Sequence, residues 1–429
     1  MNLAKRAPLL YLIGAAVQGL AAVFVQPFSI ALFGGPRSHG WETTAFAVSM
    51  MQIGLVVLSA GLPLAITRAW LEPDGGPAKA RAINGFNGLF ALAVAAVACA
   101  IGAAAGLEPS ILAAIWSMGA LAVVLAAQAQ LRAETKPLHF VALAGGSSLV
   151  AHAAGLVSIV ITGPSAAHYM VGFAIASTAT ALAAVALTRP SLPTREMGAV
   201  RIAVVAGLPL LPHSLAMILL SQGDVMLLKA LAPPGESGVY LAASVFALGP
   251  IAVLAGLNNA WSPAIMKSVH EGQDAFEATV RGTLDRASLL AAGMAVAGSV
   301  LSWLGVLIIA GGSPDVTRVA AVLPLVGIGY AVYLVMMSVL FARLATRSFA
   351  WLTASVVVVA GLLAVWPSSH GDLVLVAYVK VLAFALLGAG YALMARGRAR
   401  FSLARPALFL AAAVVVSLAV LGVLHVMGT

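Results

Sequence analysis

Apolar residues gather in thirteen long blocks along the chain, near 8–33, 43–67, 83–106, 110–131, 138–161, 167–188, 202–231, 239–265, 286–310, 317–342, 348–366, 372–395 and 406–427. Each block is longer than a strand, and none alternates residue by residue as an outer-membrane barrel does, so each predicts a helix. A spanning helix needs about 20 apolar residues. The pattern therefore predicts an all-α polytopic membrane protein of about 13 transmembrane helices. The outer connections are short. Two of the inner ones, 68–82 and 267–285, are longer. In the second, charges are interleaved with Val269, Phe276, Val280 and Leu284, which predicts an interfacial helix.

Composition agrees. The chain is 62% hydrophobic and 9% charged, where a soluble domain carries about 25% charged residues. The start, MNLAKRAPLLYLIG, opens like a secretion signal, but the apolar run continues to Phe33 with no small-residue cleavage site and reads as a retained first span. Cys99 is the lone cysteine, which excludes an intrachain disulfide and a multi-cysteine metal site. The net charge of +9 does not call for nucleic acid. With the N-terminus placed in the cytoplasm, 19 of the 23 Lys and Arg residues fall in inner segments, leaving Arg37, Lys229, Arg318 and Lys380 elsewhere. That bias sets the orientation and puts the C-terminus outside.

Helices one and two resemble helices seven and eight in layout. Both pairs turn through a Pro/Gly-rich stretch, GGPRSHG or APPGESG, with Gln26 or Gln222 before it. The expected organisation is two six-helix halves, 1–190 and 191–396, followed by an additional helix in 397–429.

Polar residues inside spans are expensive and default to a functional reading. Asp224 is the one acidic residue well within a span, where a carboxylate costs about 2.5–3.5 kcal/mol on insertion scales. It reads as a cavity residue for a cation, proton or polar ligand, or as half of a structural pair. Lys229 stands five residues on, a poor helical spacing, so a partner on another helix fits the second reading better. Lys380 in helix twelve needs water or an acidic partner. His213 follows Pro209 and Pro212, each of which removes a backbone donor and kinks the helix. It reads as a pathway residue or as a hydrogen-bonded interior histidine. Arg68, at the inner end of helix two, offers a planar fork for phosphate or serves as an ordinary anchor. Asn258, Asn259 and Trp261 belong to a scattered polar set, with Gln52, Asn84, Gln130 and Tyr240, that either lines a sugar cavity or ties helices together. The chain has no GxxxxGK[ST] phosphate loop, no HExxH and no large outer loop, so a carrier without cofactor or metal is expected over an enzyme.

The stretch GLPLLPHSLAMILLSQGDVMLLKALAPPGESGVYLAASVF resembles the opening of the second half of polysaccharide flippases. The resemblance rests on Gly207, Leu208 and Pro209, on Asp224, and on Gly238, Val239 and Tyr240. The end of helix two, with Gly61, Ala65 and Arg68, and the NAWSPAIMK close of helix eight are similar as well. The chain thus looks like a Wzx-type O-antigen or exopolysaccharide flippase of the multidrug/oligosaccharidyl-lipid/polysaccharide exporter superfamily. Val225 follows Asp224 where that family often has Arg, and the thirteenth helix lies outside its usual twelve.

Membership implies two six-helix lobes around a central cavity in a bacterial inner membrane. It implies alternating access that carries a polyprenyl-diphosphate-linked oligosaccharide from the inner to the outer leaflet. The implied partners are that lipid-linked oligosaccharide, the membrane lipids, and the polysaccharide polymerase and chain-length machinery. Asp224 and His213 would couple or gate the motion, Arg68 and Lys380 would supply cationic charge for the diphosphate, and Asn258, Asn259 and Trp261 would touch sugar. The competing readings are an ion-coupled multidrug-type exporter, a flippase for the lipid-linked peptidoglycan precursor, and a membrane enzyme acting on lipid-linked sugars.

Overall fold

Each apolar block becomes a helix or a broken helix. A computed structural model describes residues 3–59, 61–343 and 349–427, with no strand among them. Eleven helices of the described residues are long and apolar enough to cross a membrane, and one pair bent by 61° makes a twelfth. The first block is apolar over Ala16–Leu32. This is a multi-pass membrane protein. It divides into two units, the first ending at Gln222 and the second beginning at Gly223.

The first unit holds α1 (Leu3–Leu32), α2 (His39–Ser59), α3 (Leu62–Trp70), α4 (Gly76–Ala104), α5 (Pro109–Ala133), α6 (Pro137–Gly145), α7 (Ala151–Thr162), α8 (Ala166–Thr188), α9 (Met197–Gly207) and most of α10 (Leu211–Leu231). Prolines at the first turn of α4, α5 and α6 start those helices at no loss of a bonded N–H. The core is α5, with 72% of its apolar window buried. Lipid tails provide no hydrophobic drive between helices, so small residues must let backbones approach. On α5, a Cβ at Gly119 would stand 2.8 Å from that of Ala95 on α4. An amide clasp adds direction: Asn84 donates to Gln130 at 2.7 Å, and Gln130 donates to the Thr188 carbonyl at 2.9 Å. Gln222 likewise donates to Gln52 at 3.1 Å. These amides tie helices together.

The second unit holds the end of α10, then α11 (Glu236–Ser268), α12 (Gln273–Val300), α13 (Ser302–Ala310), α14 (Pro314–Ala320), α15 (Val326–Ala342), α16 (Phe349–Ser369), α17 (Leu373–Ala395) and α18 (Ala404–Val426). Its core is the broken span α14–α15, 94% buried over its apolar window. The break leaves the Ala321 carbonyl without its helical donor, because Leu325 N–H turns to Val322 instead (3.1 Å). Ser417 of α18 donates to that carbonyl at 3.0 Å. The thirteenth helix is therefore docked on the unit by a polar tie at its middle.

Two local readings change and one holds. Helix two is not continuous to residue 67. Gly61 adopts φ 73, and the chain restarts as the separate helix α3. A Cβ at Gly61 would meet the Gly207 carbonyl oxygen at 2.9 Å, so glycine both makes the turn and lets α3 touch the end of α9. The prolines of helix seven do break it, with a 3-10 turn over Leu208–Leu210 between α9 and α10. The segment 267–285 is not a detached interfacial helix. From Gln273 it is the first part of α12, and Phe276, Val280 and Leu284 are fully buried against protein.

Candidate functional site

The polar centre of the second unit joins three helices. Asp224 comes from α10, Tyr240 from α11 and Lys380 from α17. Nζ of Lys380 donates to Oδ2 of Asp224 at 2.7 Å, and the N–H of Val225 donates to Oδ1 at 3.0 Å. The two charged side chains are only 5% and 11% exposed. The surroundings are apolar: Val225 and Leu228 on α10, and Ala377, Val381 and Phe384 on α17, are all buried. Two charges taken out of water repay their desolvation only when the geometry is good and further hydrogen bonds complete the shell.

Tyr240 is fully buried, and its ring lies 5.8 Å from Nζ of Lys380, at the outer reach of a cation–π contact. Its hydroxyl is close enough to feel the Asp224 carboxylate but completes no hydrogen bond with it or with any other described residue. An unsatisfied buried hydroxyl stabilises nothing. Tyr240→Phe is therefore expected to leave the unfolding temperature of the detergent-solubilised protein unchanged or slightly raised, within about 0.5 kcal/mol. A larger loss would show that the hydroxyl has a partner.

Closed, the pair carries no net charge. Opened, it exposes a carboxylate to a cation or proton and an ammonium to an anion. The sequence reading of Asp224 as half of a structural pair and that of Lys380 as needing an acid meet in the closed pair.

Other expected residues lie elsewhere. Asn258 and Trp261 are half-buried on α11. At 1.5 Å per residue, Asn258 is roughly 27 Å along that helix from Tyr240. Its carbonyl oxygen accepts from Ser338 of α15 at 3.4 Å. The Asn259 side chain lies outside the described residues. His213 is half-buried on the part of α10 that belongs to the first unit.

Arg68 also belongs to the first unit. It is exposed near the end of α3, and no described residue pairs with it. It lines a cleft of about 530 Å³ between α3, the start of α4 and α9. Gly61, Leu64, Ala65, Ile202, Ala206 and Leu210 make the apolar walls. Glu72, Lys79 and Glu196 are the cleft's other charged lining residues. Lys79 is bonded to Glu72 at 2.9 Å. This cleft was hidden in the sequence, because the break at Gly61 sits inside an uninterrupted apolar run and Glu196 is remote along the chain.

No family model matches the chain, and no curated protein does. Solved structures do match its fold. A multidrug-resistance MATE-family transporter of the MOP superfamily, in an inward-facing conformation, superposes with a TM-score of 0.72 at 10% identity, over 90% of this chain and 98% of that one. The lipid II flippase MurJ, in an inward closed conformation, superposes with a TM-score of 0.71 at 12% identity, over 98% of both chains. A MOP-superfamily transporter from Pyrococcus furiosus gives 0.58 at 14% identity, over 92% of this chain and 95% of that one. The chain has the fold of MOP-superfamily transporters.

Proposed function

We propose that the protein is a flippase that moves a polyprenyl-diphosphate-linked oligosaccharide from the inner to the outer leaflet of a bacterial inner membrane, by alternating access and with its N-terminus in the cytoplasm. The observation that carries a transport role is the Asp224–Lys380 pair, closed at 2.7 Å within apolar helices. Ionisable residues in such a place mark pathways and coupling elements. The choice of cargo rests on the resemblance of the 207–246 stretch to polysaccharide flippases and is supported by the full-length likeness to a lipid II flippase. The polymerase and chain-length machinery of the same surface polysaccharide are the expected partners.

Deletion of the gene in its host tests this. The expected result is loss of surface polysaccharide and accumulation of the lipid-linked oligosaccharide on the inner leaflet, both reversed by the intact gene. The pair also suits the second reading, an ion-coupled small-molecule exporter, which the likeness to a multidrug transporter supports. Normal surface polysaccharide with raised drug sensitivity would decide for that reading.

A further inference from the structure

The cleft of the first unit has a charge pattern that selects a ligand. Of its four charged residues, Lys79 and Glu72 satisfy each other at 2.9 Å. Arg68 and Glu196 remain, a cation on α3 and an anion just before α9, neither within ion-pair distance of a described residue, with Glu196 also in the electrostatic reach of Lys79. The mouth is thus neutral overall yet leaves one charge of each sign without a direct ion pair.

Below the mouth the walls are hydrocarbon. Seven residues separate Arg68 from Gly61, which gives a depth of roughly 10 Å along α3. Leu64 and Ile202 are 65% and 72% exposed on the two sides. The space exists because the intervening positions are small: Ala65 on α3, and Gly198, Ala199, Ala203 and Ala206 on α9. The deep end closes where Gly61 meets Gly207.

We propose that this cleft binds one bilayer phospholipid with a primary-ammonium headgroup, of the ethanolamine type. Its phosphate sits on the Arg68 guanidinium, its ammonium on the Glu196 carboxylate, and the first part of an acyl chain lies against Leu64, Ile202 and Leu210. Arg68 keeps the phosphate chemistry read from the sequence, but the phosphate belongs to a resident lipid and not to the cargo. An anionic headgroup would leave Glu196 facing like charge. A choline headgroup has no N–H to donate to that carboxylate. A polyprenyl phosphate offers it no cation. Only the zwitterion with ammonium hydrogens satisfies both charges.

The test uses the purified full-length protein in detergent, supplied with equal amounts of phosphatidylethanolamine, phosphatidylglycerol, phosphatidylcholine and a polyprenyl phosphate, and read by native mass spectrometry. One ethanolamine lipid should be retained at about tenfold preference, the effect of one charge-assisted hydrogen bond. Arg68→Gln and Glu196→Gln should each abolish the preference, and Ala206→Trp, which fills the cleft from a lipid-exposed position, should abolish retention. The exchange Arg68→Glu with Glu196→Arg should restore the preference, because a zwitterion can bind reversed. Equal retention of all four lipids overturns the proposal. So does selective retention of polyprenyl phosphate, most of all if Glu196→Gln strengthens it.

Discussion

Lys380→Met is expected to destabilise the protein by about 3–5 kcal/mol, because it leaves the Asp224 carboxylate buried without its cation. The magnitude follows from the surroundings. With side chains 5% and 11% exposed, water cannot replace the lost partner. Asp224→Leu alone should be costly for the mirror reason, since the buried ammonium loses its carboxylate. Asp224→Leu combined with Lys380→Met should behave differently. Replacing both members by apolar groups of similar volume removes the desolvation penalty with the attraction, and such replacements are often neutral or stabilising. Unfolding temperatures of the four proteins in one detergent complete the cycle. A double variant that returns near the parent's stability while surface polysaccharide stays lost would make the pair a working element. A double variant that regains transport would reduce it to a structural tie, and strictly additive losses would mean that the two side chains do not interact.

The expense of these two residues was legible in the sequence, and their partnership nearly so. Asp224 was the one acid well inside a span and Lys380 a lysine inside another, yet 156 residues separate them. Periodicity says which face of a helix is buried but not which distant helix buries it. The same limit explains α12. The spacing of Phe276, Val280 and Leu284 specified a buried stripe, and the stripe is real. What covers it is protein and not the membrane surface. The Arg343 guanidinium sits 4.5 Å over the Phe276 ring, Arg343 donates to Gln273, and Arg405 pairs with Asp285. Basic residues read as topology markers double here as clasps. The helix breaks divide in the same way. Pro209 announced a break in helix seven, because a missing N–H has a local consequence. Gly61 lies within AGLPLAI, where Pro63 marks the first turn of α3, but the close approach to Gly207 that the glycine permits left no local signal. The cleft beside it, with Arg68 left over once Lys79 and Glu72 pair, became visible only when α3 and α9 were placed.

The crossing of α15 and α17 should be the least tolerant place in the second unit. A Cβ on Gly329 would lie 2.5 Å from the backbone carbon and oxygen of Phe384. Across the same contact, a Cβ on Gly388 would lie 2.7 Å from the Gly329 oxygen. Neither obstacle is a side chain that can swing away. Two backbones are in contact, so any larger residue must push one helix off the other. Overpacking of a tight core costs about 1–3 kcal/mol and occasionally more, and a backbone obstacle places Gly329→Val at or above the top of that range. The shift would not remain local. Lys380 stands eight residues before Gly388 on α17, so the glycine contact helps set the height and rotation at which its ammonium meets Asp224. Gly329→Ala is then expected to lower the unfolding temperature and to weaken transport more than a distant variant of equal stability. Gly361→Ala on α16, where an added Cβ meets nothing within 4 Å, serves as the control and should leave both measurements unchanged. If Gly329→Ala matches that control in both, the two helices have room to separate and the contact does not position the pair.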